Sequence, residues 1–339
     1  MNTDILLEIK DLRTHFKLDD GVLKAVDGVS FNIHRNRVLG IVGESGCGKS
    51  MTARSILRLV PSPGKVEGEI LFHDGGTTVD LAKLSPTGDQ IRAIRGRDIA
   101  MIFQEPMSAF SPVHTVGSQI MEAVLVHESV SKAEARRRAI ELLKHVGIPL
   151  PERRVDAFPH QMSGGMLQRA MIAMALALRP KILIADEPTT ALDVTIQAQI
   201  LRLMKNLKNE IGMSIIFITH DLGVIANMAD EVAVMYLGRV VEYGSVRQIF
   251  RNPQHPYTKA LMKSIPTIGR ERGEKLASIK GTVPVPLNPP HRCGFADRCP
   301  EFIAGRCDVD VPPLYETEAG HQVRCVLYEK EGVLNAAQS

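Results

Sequence analysis

The sequence predicts an α/β fold. It combines a mixed β core carrying a parallel sheet, an antiparallel β part, an inserted helical segment and a small C-terminal accessory domain. Three observations predict it. Short apolar runs such as Val38–Val42 and Ile182–Ala185 read as buried strands and alternate with helical stretches. Gly43-Glu44-Ser45-Gly46-Cys47-Gly48-Lys49-Ser50 fits the phosphate-binding pattern G-x-x-x-x-G-K-[ST], with a strand before it and a helix after it. Past about residue 250 the periodicity fades, and prolines and cysteines accumulate.

Taken in order, Leu7, Ile9 and Leu12 lead to a turn at Asp19-Asp20-Gly21, and Val29, Phe31 and Ile33 alternate with polar residues as a half-buried strand does. Val38–Val42 is a buried strand entering the phosphate loop, and a helix begins near Lys49. Residues from about 105 to 165 form the helical insert. Within it, Ser131-Lys132-Ala133-Glu134 reads as a capping box, Ala139, Leu142, Leu143 and Val146 follow at helical spacing, and Gly147 is a stop. The α/β pattern resumes at Met166. Ile196, Ile200, Leu203, Leu207 and Ile211 mark one face of a long helix closed by Gly212. Strands over Ile215–Ile218 and Glu231–Met235 come next, then a hairpin turn at Leu237-Gly238-Arg239-Val240. The expected division is 1–250 for the nucleotide-binding domain and 251–339 for the accessory domain.

Five motifs carry the chemistry. The loop glycines let backbone amides approach phosphate, Lys49 adds charge on the β- and γ-phosphates, and the Ser50 hydroxyl suits Mg²⁺. Asp186 ends an apolar strand, where a carboxylate can hold Mg²⁺ or its water, and Glu187 beside it can take a proton from an attacking water. The same acidic pair before Pro188-Thr189 also suits a helix start. Gln104 follows the strand-like run Ile99–Phe103, and His220 closes the run Ser214–Thr219. Ser163-Gly164-Gly165 offers a hydroxyl and amides at a helix N-terminus.

All five in this order resemble the ATPase subunit of an ATP-binding-cassette (ABC) transporter. The resemblance implies an ABC-type P-loop nucleotidase fold with ATP and Mg²⁺ as cofactors. It places Gln104 at the metal and attacking water, and His220 at the γ-phosphate. It turns Ser163, Gly164 and Gly165 toward ATP on a second subunit, so that each active site is shared. The usual family segment is Leu-Ser-Gly-Gly-Gln; this chain has Met162 and Met166 at the flanks. Asp193 matches the loop linking the two sites, and Met51 joins the nucleotide-binding set. Phe16 lies near where the family stacks an aromatic ring on adenine, and it equally suits a strand core.

The tail narrows the family. Arg251-Asn252-Pro253, then His255-Pro256-Tyr257-Thr258, then Cys293, Cys299, Cys307 and Cys325 resemble the ATP-binding subunits of dipeptide and oligopeptide importers. The cysteine spacing C-x5-C-x7-C-x17-C lacks the short pairs of structural zinc sites. Four thiolates suit iron–sulfur clusters as well. Relatives imply a [4Fe–4S] cluster, with Zn²⁺ and free or disulfide-bonded thiols as the alternatives. A metal would staple a proline-rich segment that has little core of its own.

Composition sets the outer bounds. A formal net charge of +3 gives no broad nucleic-acid footprint. No apolar run reaches the roughly 18–20 residues that span a bilayer, and Met1-Asn2-Thr3-Asp4 lacks the features of a secretory signal. The expectation is a peripheral subunit on the cytoplasmic face of the cell membrane. Its expected partners are a second ATPase subunit (a paralogue or a copy of itself), two membrane permease subunits and an extracytoplasmic peptide-binding protein. Two other readings stay open: the same machinery importing nickel or another small solute, and a soluble, non-transport ABC ATPase.

Overall fold

Twelve strands form two sheets in the computed structural model, which describes residues 4–190, 192–264, 279 and 281–329. In chain order they are β1 (Ile5–Leu18), β2 (Gly21–His34), β3 (Val38–Val42), β4 (Gly64–Asp74), β5 (Thr77–Asp80), β6 (Ile99–Ile102), β7 (Ile182–Asp186), β8 (Ser214–Ile218), β9 (Glu231–Tyr236), β10 (Arg239–Ser245), β11 (Tyr315–Glu318) and β12 (His321–Val323). The smaller sheet is antiparallel, in the order β2-β1-β4-β5. The larger runs β11-β12-β10-β9-β3-β8-β7-β6; β9, β3, β8, β7 and β6 are parallel neighbours, and the pairs from β9 outward to β11 are antiparallel.

The two-residue period of a strand divides the core. Leu39 and Ile41 of β3, Ile182 and Ile184 of β7, and Ile216 and Ile218 of β8 face the smaller sheet, meeting Leu7, Ile9, Val29, Phe31 and Ile33. Val38, Val42, Leu183, Ala185, Ile215 and Phe217 face the helices instead, packing with Leu167, Ile200 and Met204. Strands buried on both faces read as unbroken apolar runs, as these do.

The insert is helical, with helices Pro106–Ala109, Val116–Leu125, Lys132–His145 and Pro151–Arg154 before the helix Gly164–Ala175. Ser131 caps its helix by accepting from the Glu134 N–H at 3.1 Å. The reciprocal half of the expected capping box is missing, because the Glu134 carboxylate is taken by Arg137 and Arg138. The long helix Val194–Ile211 ends at Gly212, in the left-handed conformation at φ 75°. Leu237 and Gly238, at φ 44° and 73°, form the tight turn between β9 and β10.

The tail does not stand apart from the sheet. β12 pairs with β10, Glu242 opposite Val323 and Tyr243 opposite Gln322. Beneath them Glu242 and His321 form a fully buried pair at 2.8 Å. Glu242 also accepts the backbone N–H groups of Gln254 and His255 at 2.8 and 2.9 Å, so its lone pairs are well used. The rest of the tail between 265 and 278, residue 280, and 330–339 lie outside the described residues.

Candidate active site

The phosphate loop leaves β3 after Val42 and closes against two backbones. A Cβ on Gly43 would lie 2.3 Å from the Met235 carbonyl oxygen, and one on Gly48, at φ 102°, would lie 2.3 Å from that of Ala25. Glycine is therefore required at both positions. The helix Lys49–Ile56 starts from Gly48 with no side-chain cap, which leaves its first amides for an anion. Lys49 is buried, 5% exposed, and its ammonium donates to the carbonyls of Gly43 at 2.8 Å and Glu44 at 3.1 Å. Cys47 is fully buried, and its sulfur lies 3.8 Å from Lys49 Nζ. Burial pushes the Cys47 thiol up, against the pull of that ammonium.

Three carboxylate-bearing and polar loops follow the ends of neighbouring parallel strands. Ser50 Oγ donates to Asp186 Oδ1 at 2.9 Å. Burial holds the Asp186 carboxyl above the usual range; the Ser50 hydrogen bond lowers it and the adjacent Glu187 charge raises it further. Glu187 adopts φ 48°, uncommon for a residue with a Cβ. Its Oε2 accepts from Gln104 Nε2 at 3.2 Å and from Thr190 Oγ1 at 2.9 Å, and its Oε1 lies 3.4 Å from His220 Nδ1. Gln104 after β6, Asp186 and Glu187 at the end of β7, and His220 after β8 thus meet at the carboxyl edge of the sheet, where open α/β sheets bind ligands.

A cleft of about 280 Å³ opens there. Ser45, Gly46, Cys47, Gly48, Lys49, Ser50, Met51, Gln104 and Glu187 line it. Phe16 does not. It is buried on β1 opposite Leu23 and against Gly64, and Leu23, Ala25 and Pro286 supply the apolar wall instead. Alternation on β1 turns the Phe16 ring inward, and no feature of the sequence singles out Leu23. Ser163 and Asp193 also lie off this cleft. Each caps a helix, Ser163 accepting from Met166 N at 3.3 Å and Asp193 from Ile196 N at 2.9 Å. Gly165 and Ile196 are neighbours, so the two segments share one surface. Ala191, before the second of them, lies outside the described residues.

The comparisons with known proteins agree with this geometry. Residues 26–190 match the ABC transporter family model, and residues 241–307 match the oligopeptide/dipeptide transporter C-terminal region. The chain is 53% identical over 324 residues to a probable peptide ABC transporter ATP-binding protein, y4tR, of Sinorhizobium fredii, covering 95% of each. The chain belongs to the ABC transporter ATP-binding proteins. As an ABC ATPase it binds and hydrolyses ATP. It is also 51% identical to the oligopeptide transport ATP-binding protein OppD of Bacillus subtilis, covering 94% of this chain and 88% of that one. To the dipeptide transport ATP-binding protein DppD of Escherichia coli it is 46% identical, covering 94% and 96%. Among solved structures, the dimeric bacterial ABC transporter cassette MJ0796 superposes with a TM-score of 0.63 at 30% identity, over 71% of this chain and 99% of that one.

Elsewhere in this ABC ATPase, Cys293, Cys299, Cys307 and Cys325 are free thiols. Among the described residues, no three His, Cys, Asp or Glu side chains are grouped to hold a metal ion, so neither the expected cluster nor the zinc alternative has a preformed site. Two of the four are in contact. Cys293 N donates to the Cys307 carbonyl at 3.1 Å, and Cys293 packs with Cys307 against Ala296 and Val326. Burial pushes the thiols of Cys299 and Cys325 up to about 11, with the other cysteines adding to the rise. Among the described residues no helix is long and apolar enough to cross a membrane. No local pattern in the sequence marks Thr190 as a partner of Glu187, or Tyr257, Pro286 and Arg298 of the tail as residues that reach the loop or its cleft.

Proposed function

We propose that this chain is the ATP-hydrolysing subunit of an importer that takes up dipeptides or oligopeptides. The observation that carries hydrolysis is the Glu187 carboxylate, oriented by Gln104, Thr190 and His220 at the mouth of the cleft that Lys49 and Ser50 line. The peptide class is supported by the match of residues 241–307 and by the peptide-transport names of the relatives. In this reading Lys49 releases its two loop carbonyls and pairs with the β- and γ-phosphates. The first amides of the helix Lys49–Ile56 take phosphate oxygens. Ser50 and Asp186 fit a divalent cation, since a buried carboxylate whose charge is penalised gains most from one. Ser50 and Asp186 would hold Mg²⁺, which would neutralise phosphate charge. Glu187 accepts a proton from the water whose oxygen attacks the γ-phosphorus, as the bond to the leaving ADP oxygen breaks. Gln104 and His220 fix that carboxylate and face the γ-phosphate.

Ser163, Gly164, Gly165 and Asp193 serve ATP on a second subunit, which accounts for their distance from their own cleft. Partners are a second ATPase subunit, two permease subunits and an extracytoplasmic peptide-binding protein; the chain works on the cytoplasmic face of the membrane. For the four tail cysteines we propose a [4Fe–4S] cluster with a structural role. The four free thiols and the packing of Cys293 with Cys307 support it, although no ion site is preformed. The test of the main reading is ATP hydrolysis by the assembled complex in membranes. Peptide delivered by the binding protein stimulates it, and stimulation by nickel but not by peptide would overturn the cargo assignment.

A further inference from the structure

We propose that the C-terminal region braces the phosphate loop, and that Tyr257 and Arg298 are positioning residues for ATP that act through Glu44. This deepens the nucleotide-site reading above and rests on it. Glu44 is the second residue of the loop, and it is held at three points. Its N–H donates to the Tyr257 hydroxyl at 2.9 Å. Its carboxylate accepts both guanidinium nitrogens of Arg298, at 2.8 and 3.0 Å. Its carbonyl accepts the ammonium of Lys49 at 3.1 Å. The residue that the tail grips by amide and side chain therefore also holds, with its third polar group, the lysine that phosphate later takes from it.

The grip comes from rigid ground. Tyr257 stands at the start of the helix Pro256–Lys263, which His255 caps by accepting the Tyr257 N–H at 3.0 Å. The Tyr257 ring is fully buried between Tyr236 and Phe295, with centroids 4.7 and 5.3 Å away. The Arg298 side chain is only 6% exposed and lies over the same two rings. It also donates to Tyr236 Oη at 3.3 Å and to the Gly281 carbonyl at 3.1 Å. A bidentate arginine fixes both position and angle of a carboxylate. The aromatic stack is shared by the cassette strand β9 and the tail, through Tyr236 on one side and Tyr257 and Phe295 on the other. The His255-Pro256-Tyr257 run thereby acquires a purpose.

A second contact acts on the same cleft. The segment 286–288 runs beside β2 in a single antiparallel bridge, Leu287 opposite Leu23. Lys24 N donates to the Pro286 carbonyl and Asn288 N to the Val22 carbonyl, both at 2.9 Å, and the Asn288 side chain accepts from Val22 N at 2.8 Å. This places Pro286 beside Leu23 in the wall of the cleft. The accessory region thus shapes the nucleotide site from two directions, at the loop and at the apolar wall.

The test uses full-length protein, with a fluorescent ATP analogue for Kd and the assembled complex for hydrolysis. Tyr257→Phe keeps the ring packing and removes only the acceptor for Glu44. Arg298→Gln removes the charge and one arm of the fork. Each raises both Kd and KM for ATP by about threefold to tenfold, with kcat changing less. Combining Arg298→Gln with Glu44→Gln does no more than either change alone, because the two act as one unit. Should Arg298→Gln fail to fold, Tyr257→Phe carries the test. Lys49→Ala separates the claims. If it abolishes binding while Tyr257→Phe and Arg298→Gln bind ATP like the wild type, the brace is wrong and the site stands. If Lys49→Ala itself binds normally, the nucleotide reading falls first. An Arg298→Gln effect that is undiminished in the Glu44→Gln background also overturns the brace.

Discussion

Replacing Glu187 by Gln isolates its chemical role, because the surroundings accept the amide. Oε2 of Glu187 receives two donors, Gln104 Nε2 at 3.2 Å and Thr190 Oγ1 at 2.9 Å, so the amide oxygen must occupy that position. The amide nitrogen then faces His220 Nδ1, 3.4 Å from the present Oε1, and a neutral imidazole tautomer can accept from it. Shape and hydrogen bonding survive, and the unusual φ of 48° is unchanged in kind. What is lost is the ability to accept a proton. A positioned general base contributes about 10²–10⁴-fold, equivalent to about 3–5 kcal/mol of barrier. Phosphate release by Glu187→Gln in the assembled complex should fall by that factor, while Kd for ATP stays within about threefold of wild type. The ATP-bound dimer should accumulate and elute as such on gel filtration. Turnover above about a tenth of wild type contradicts Glu187 as the principal base.

Three further outcomes follow from other parts of the molecule. Ser163→Arg loses a helix cap worth about 1 kcal/mol, yet the isolated chain keeps its ATP affinity and the assembled complex is inactive; lost affinity in the isolated chain contradicts the shared site. Protein prepared without oxygen carries close to four irons per chain, as one [4Fe–4S] cluster requires, and Cys299→Ser or Cys325→Ser removes the iron; metal analysis showing one zinc and no iron refutes the cluster. Burial depresses His255 to about 4, so the unfolded chain binds a proton that the native state refuses between about pH 6.5 and 4. Stability therefore falls as pH drops through that window, by roughly 3 kcal/mol for this residue. His255→Asn, which retains a cap, flattens this part of the profile in urea unfolding; an unchanged profile refutes the assignment.

Much of the site was legible because its chemistry is local in sequence. The phosphate loop and its flanking strand and helix lie where the glycine pattern puts them, since Gly43 and Gly48 are dictated by backbone contacts that no other residue tolerates. Strands buried on both faces announce themselves as apolar runs, and β3, β7 and β8 match them closely. Contacts between distant segments were not legible. A hydroxyl at 257 and a guanidinium at 298 meet an amide and a carboxylate at 44 only after the tail packs on Tyr236, and no spacing rule links those positions. Strands β11 and β12 were missed for a related reason. They are short, and they are held by pairing, β12 with β10 and β11 with β12, rather than by their own pattern. The missing half of the Ser131 capping box shows the reverse case, a local motif overridden when Arg137 and Arg138 compete for Glu134.

The most direct measurement of the central claim is uptake of a labelled dipeptide or oligopeptide into proteoliposomes. They contain this chain, its partner ATPase and the two permease subunits, with the peptide-binding protein on the delivery side and ATP on the other. The account predicts uptake that requires ATP and stops when Glu187→Gln replaces the wild-type chain. Peptide uptake undiminished by that replacement, or hydrolysis that continues with no peptide movement at all, would contradict it.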